Sequence, residues 1–98
     1  MQTNYDLLDF EQNFYVNPFE FMCDHCTDFI NWVDDCEDGK GKISKDGCED
    51  EIADYLYTFD IRWDTVENFG DKLKNYTEAL YASCKAQRPE VMGGNNNE

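Results

Sequence analysis

Apolar residues recur along this chain at intervals of three and four, and that rhythm divides it into helices. The longest run occupies residues 17–36. Asn17 has the side chain of an N-cap, Pro18 suits the first helical position, and Glu20 completes a capping-box spacing. At about 100° per residue, Phe19, Met22, Cys26, Phe29, Ile30, Val33 and Cys36 gather on one face. Glu20, Asp24, Asp28 and Asp35 gather with Asn31 on the opposite face, and Phe21, His25 and Trp32 form an aromatic flank between the two. The spacing predicts one amphipathic helix over 18–36, stopped by the glycine-rich sequence Asp38-Gly39-Lys40-Gly41.

Asp46 then reads as a cap with Glu49 three residues on. Cys48, Ile52, Tyr55, Leu56 and Phe59 make an apolar face, and Asp50, Glu51 and Asp54 point away from it, which predicts a second helix over 47–59. A third cap at Asp64, with Glu67 in the box position, opens a long helix over 64–87 marked by Val66, Phe69, Leu73, Tyr76, Leu80 and Cys84. Its outer face alternates Glu67, Asp71, Lys74, Glu78 and Lys85, an ordinary solvated surface. Gly70, at the edge of the buried face, offers a place for close helix approach, and Arg88-Pro89 closes the element. Residues 4–16 are ambiguous. Leu7, Phe10, Glu11 and Phe14 fit a short helix capped by Asn4 or Asp6, whereas Phe14-Tyr15-Val16 favours a strand; the helix is the preferred reading. The expected architecture is all-α: three main helices and a short N-terminal one in a single domain, 1–90, with a flexible tail, 91–98.

Charge changes this picture more than composition does. The 98 residues are 41% hydrophobic, enough to build a core, so the acidity does not imply disorder. The formal net charge is −14, and it is unevenly spread. Residues 1–39 hold ten carboxylates and no lysine or arginine, residues 46–60 hold six more and again none, and from residue 61 the signs nearly balance. Such a chain repels nucleic acid and anionic membranes and attracts basic surfaces. No apolar run precedes a small-residue cleavage site or is long enough to span a bilayer. With five cysteines, an odd number, this predicts free thiols in a reducing cytoplasm.

Two motifs suggest chemistry. Cys23-Asp24-His25-Cys26 has the spacing of half a zinc site, but Cys36, Cys48 and Cys84 are singly spaced and supply no second half. The stretch from Cys36 to Gly47 resembles an EF-hand calcium loop, with Gly41 as the turn glycine and Ile43 as the central apolar residue. Cys36 and Lys40 then take ligand positions and Gly47 replaces the closing glutamate, leaving Asp38 as the one good carboxylate ligand. The expectation is therefore no metal and no cofactor. No nucleophile elbow, P-loop, dinucleotide-binding glycine pattern or His-Glu-x-x-His occurs, and the single histidine lies among aspartates and cysteines, so no enzyme is expected.

The acidic surface is the remaining signal. Glu20, Asp24 and Asp28 step by four, about 6 Å per step along a helix, a scale comparable with the spacing of backbone phosphates. Like charges so placed destabilise a helix, whereas a surface shaped for solubility alone intersperses both signs. The expected function is a non-enzymatic binding protein that mimics DNA or RNA and blocks a basic nucleic-acid-binding groove. In size, charge and lack of catalytic motifs it resembles the small acidic inhibitors by which phages and mobile elements disable restriction, CRISPR or repair enzymes. The expected contacts are Glu20, Asp24, Asp28, Asp35 and Asp38, with Asp50 and Asp54 behind them and Phe21 and Trp32 as exposed apolar anchors. The alternatives are a regulatory protein docking a basic protein surface by helix packing, and a cysteine-based zinc or EF-hand-like module.

Overall fold

In a computed structural model of the chain, which describes residues 7–58 and 68–92, the chain is helical and most of the expected apolar positions are buried, while Cys26 and Ile30 of the expected face are half-buried. In order they are α1 (Leu7–Phe14), α2 (Pro18–His25), α3 (Thr27–Glu37), α4 (Lys45–Tyr57) and α5 (Phe69–Gln87), followed by a 3-10 turn at Pro89–Val91. The fold is all-α. Among the described residues the only extended pairing is a single parallel bridge between Ile43 and Met92. Phe10 and Phe14 of α1, Phe19 and Met22 of α2, Phe29 and Val33 of α3, Ile52 and Leu56 of α4 and Leu73, Tyr76 and Leu80 of α5 meet in one core. The strand alternative at Phe14-Tyr15-Val16 is not taken up, since α1 ends at Phe14 and Val16 is 82% exposed.

The helix expected over 18–36 is two helices. Cys26 adopts an extended conformation (φ −130°, ψ 101°) and serves as C-cap of α2 and N-cap of α3. Its N–H donates to the Met22 carbonyl at 2.8 Å and its carbonyl accepts from Ile30 at 3.2 Å, so the break is one residue wide. His25, Cys26 and Thr27 are weak helix formers, which lowers the resistance to breaking there. Packing supplies the reason. On an unbroken helix Phe21 would lie about 90° from the stripe of Phe29, Val33 and Cys36. With the break, α2 buries Phe19, Phe21 and Met22 while α3 keeps its own stripe buried.

Phe21 is therefore not the exposed anchor expected of it. It is 8% exposed and meets the rings of Phe10 at 5.4 Å and Tyr55 at 5.7 Å, both edge-on. Burial of this aromatic set outweighs the cost of the break, because each ring brings a large apolar area and favourable edge-to-face geometry. Trp32 is half-buried rather than exposed, for a different reason. Its indole lies against the first turn of α4 so closely that a Cβ on Gly47 would fall 2.4 Å from its ring. Gly47 is thus the glycine that permits close approach. Gly70, expected in that role, faces open space.

The helix ends follow local chemistry. At the end of α3, Gly39 has φ +86°, its N–H donates to Cys36, and the Lys40 N–H donates to Asp35, which is a Schellman motif. α4 begins two residues before the expected start. Ser44, not Asp46, is its cap, with Oγ accepting from the Gly47 N–H at 3.1 Å, and Asp46 sits in the first turn where the helix dipole favours an acid. The EF-hand-like stretch is thus a helix end, a turn and a helix start. Ile43 is fully buried, and its N–H donates to Val91 at 2.8 Å.

α5 ties the other helices together. Ser83 Oγ accepts from the Phe19 N–H at the start of α2, and the Tyr76 hydroxyl donates to Glu11 of α1. Arg88 binds Glu37 at 2.6 Å and lies over the Phe19 ring. Val91 is buried and Met92 half-buried, so the anchored chain extends past the expected tail boundary at residue 90. The expected caps at Asn4, Asp6 and Asp64, the core positions Phe59 and Val66, and tail residues 93–98 lie outside the described residues. Among the described residues no helix is long and apolar enough to cross a membrane.

Candidate binding cleft

Two adjoining cavities are lined by residues of α2, the start of α3 and α4. The larger, about 630 Å³, is lined by Glu20, Phe21, Asp24 and His25 of α2, Tyr55 of α4, and Asn13, Val16 and Asn17 around the α1–α2 turn. The smaller, about 230 Å³, is lined by Asp28, Asp54 and Thr58 together with His25, Cys26, Thr27 and Tyr55. His25 and Tyr55 belong to both, so the two form one cleft. The N-cap at Asn17 fixes the start of α2, its side chain accepting from the Glu20 N–H at 3.2 Å. Glu20 and Asp24 follow one helical turn apart on the exposed side. The extended residue Cys26 then places Asp28 in the neighbouring cavity. The floor is aromatic: Phe21 and Tyr55 are nearly buried, and the exposed His25 ring lies 4.5 Å from Phe21.

Among the described residues no lysine or arginine lines either cavity. The crowding of carboxylates shows in Glu51, half-buried beside the cleft. Burial, and then the charges of Asp28, Asp54 and Asp50, push its carboxyl above the ordinary range. The Cys26 thiol points at Glu51 Oε1 at 4.0 Å. Cations concentrate elsewhere. Lys45 and Lys85 flank the Tyr81 ring at 5.7 and 5.8 Å, Lys72 pairs with Glu11 at 3.7 Å, and Arg88 pairs with Glu37.

The expected contact residues divide accordingly. Glu20, Asp24, Asp28 and Asp54 come together around the cleft. Asp50 stands beside it, close enough to act on Glu51. Asp35 is exposed near the far end of α3, about 10 Å along the helix from Asp28, and Asp38 is its C-cap; neither lines the cleft. Phe21 belongs to the floor and Trp32 to the α3–α4 contact. Tyr55, Glu51 and the α1–α2 turn join the site without having been singled out. Tyr55 reads as a core position from its spacing, and only the angle at which α2 meets α4 makes it the floor of a cleft.

The thiols are placed for packing. Burial raises the Cys23 thiol to about 11 and pushes those of Cys26 and Cys36 up as well. Cys48 is raised by a hydrogen bond with Cys84 and by burial. The thiolate is the nucleophile and the metal ligand, so these settings oppose both roles. Among the described residues no three histidine, cysteine or acidic side chains converge as a metal-binding group. No protein-family model, curated protein or solved structure matches the chain.

Proposed function

We propose that this is a non-enzymatic binding protein whose acidic cleft face occupies a basic nucleic-acid-binding groove of another protein in place of DNA or RNA phosphates. The observation that carries the reading is the arrangement of Glu20, Asp24, Asp28 and Asp54 around one cleft with no cation among the described residues of its lining. Burial, and then the neighbouring carboxylates, raise the Glu51 carboxyl, and a cationic partner relieves the like-charge repulsion on binding. The target class is a nucleic-acid enzyme such as a restriction, CRISPR or repair enzyme, and the setting is a phage or mobile element acting in a host cytoplasm.

The test is affinity capture from bacterial lysate with stepwise salt elution. A nucleic-acid enzyme that elutes at high salt and is displaced by added DNA is the expected result, because phosphate-like contacts are strongly salt-dependent. Replacing Asp24, Asp28 and Asp35 together with asparagine is expected to weaken that partner at least tenfold, while thermal stability stays level or rises slightly. Unchanged affinity in the triple variant would remove this face from the interaction. A captured partner that DNA does not displace would point to ordinary helix docking instead.

A further inference from the structure

Building on that reading, we infer that the cleft between α2 and α4 is an arginine-binding site, seating an extended basic segment of the partner with one guanidinium in each of its two cavities. Arginine is distinguished from lysine by a planar cation that stacks on aromatic faces and donates two parallel N–H bonds along its edge to carboxylate oxygens. The larger cavity offers both features. The exposed His25 ring, backed by the nearly buried Phe21 and Tyr55, supplies the aromatic surface, and Glu20 and Asp24 stand one turn apart, about 6 Å, on one side of α2. The smaller cavity repeats the pattern with Asp28 and Asp54 as the carboxylates and the same His25 and Tyr55 as its aromatic wall. Because that wall is shared, the two seats are neighbours. Alternate side chains of an extended strand fall on one side about 7 Å apart, so an Arg-x-Arg segment is the shortest that presents two guanidinium groups to neighbouring seats. The carboxylates exclude phosphate, anionic lipid and acidic peptide by repulsion. A bare metal ion lacks its ligand set among the described residues.

This site is more specific than a general negative field, and the difference is measurable. The probes are the peptides Gly-Ser-Arg-Gly-Arg-Ser-Gly and Gly-Ser-Lys-Gly-Lys-Ser-Gly, titrated calorimetrically into the full chain at low salt. The arginine peptide is expected to bind at least threefold more tightly, because stacking adds to charge pairing. Two double variants remove the same charge from different places: Glu20→Gln with Asp24→Asn inside the cleft, and Asp35→Asn with Asp38→Asn outside it. The first should weaken the arginine peptide about tenfold and the second less than twofold. Amide shifts on titration should centre on Phe21, Asp24, His25 and Tyr55. Equal binding of the two peptides, equal weakening by the two double variants, or shifts centred on the end of α3 would each overturn the inference. Those outcomes leave mimicry standing, since mimicry rests on displacement of a captured partner by DNA. Conversely, selective arginine binding together with a partner that DNA does not displace would overturn mimicry and leave the arginine site standing.

Discussion

Along α5, Asp71, Lys74, Glu78 and Lys85 alternate in sign, and cations of this part of the chain are used within the fold: Lys72 on Glu11, Lys85 beside Tyr81, Arg88 on Glu37 and over Phe19. Along α2, α3 and α4, Glu20, Asp24, Asp28, Asp50 and Asp54 carry one sign, and among the described residues neither ion pair touches them. Both regions bury an equally regular apolar stripe, so they contribute alike to the core. They differ in what their surfaces do for folding. The α5 surface ties helices together, while beside the cleft burial and neighbouring carboxylates raise the Glu51 carboxyl. A fold-neutral purpose such as solubility is served as well by the first pattern as by the second. The second is the pattern that the proposed basic partner would engage.

The contrast can be broken or sharpened by substitution. The largest effect is expected from Phe21→Ala, beneath the cleft. Emptying a nearly buried ring site that touches Phe10, Phe14 and Tyr55 should cost about 3–5 kcal/mol in denaturant unfolding. A loss under ~1 kcal/mol would mean that Phe21 belongs to the surface after all. On the α5 side, Tyr76→Phe removes a hydrogen bond to a carboxylate and should cost about 1.5 kcal/mol, measured the same way. Gly47→Ala pits helix propensity against space. Alanine gains about 1 kcal/mol in a helix, but its Cβ would collide with the Trp32 ring, and overpacking of this kind costs about 1–3 kcal/mol. Net destabilisation, with changed Trp fluorescence, is expected; a more stable protein would show that the indole moves aside without loss.

The smallest effect has the opposite sign. The folded-state carboxyl of Glu51 is raised, so the folded chain holds that proton more tightly than the unfolded chain does. Its contribution is most favourable at low pH and is lost as pH rises from the ordinary glutamate value of 4.5 through the raised folded value. Glu51→Gln should therefore raise the melting temperature slightly at pH 7, and the gain should vanish in acid. A gain that persists unchanged in acid would assign the effect to packing rather than to the burial and crowding of the charge.

Several of these features are legible in the chain. The spacing of Phe10 and Phe14, of Ile52, Tyr55 and Leu56, and of Leu73, Tyr76, Leu80 and Cys84 marks the buried faces, because a helix repeats every 3.6 residues wherever it packs. Asn17-Pro18 and the glycines after Asp38 mark a start and a stop, because caps are local hydrogen-bond problems. Ser44 competes with Asp46 for the same capping role two residues apart, and only the geometry of the turn chooses between them. The break at Cys26 is invisible to periodicity, since Cys26 fits the continuous stripe as well as its neighbours do. It is decided by where Phe21 must go once α1, α2 and α4 pack together.

The sequence by itself determined the all-α class, the apolar faces and the segregation of charge, since these depend on residue type and on distances of a few residues along the chain. Tertiary structure alone decided that Phe21 is floor rather than anchor, that Trp32 closes on Gly47, and that Glu20, Asp24, Asp28 and Asp54 share one cleft while Asp35 and Asp38 stand apart. Those outcomes depend on the angle at which helices cross. That angle is set by the simultaneous packing of side chains far apart in sequence, which no local pattern encodes.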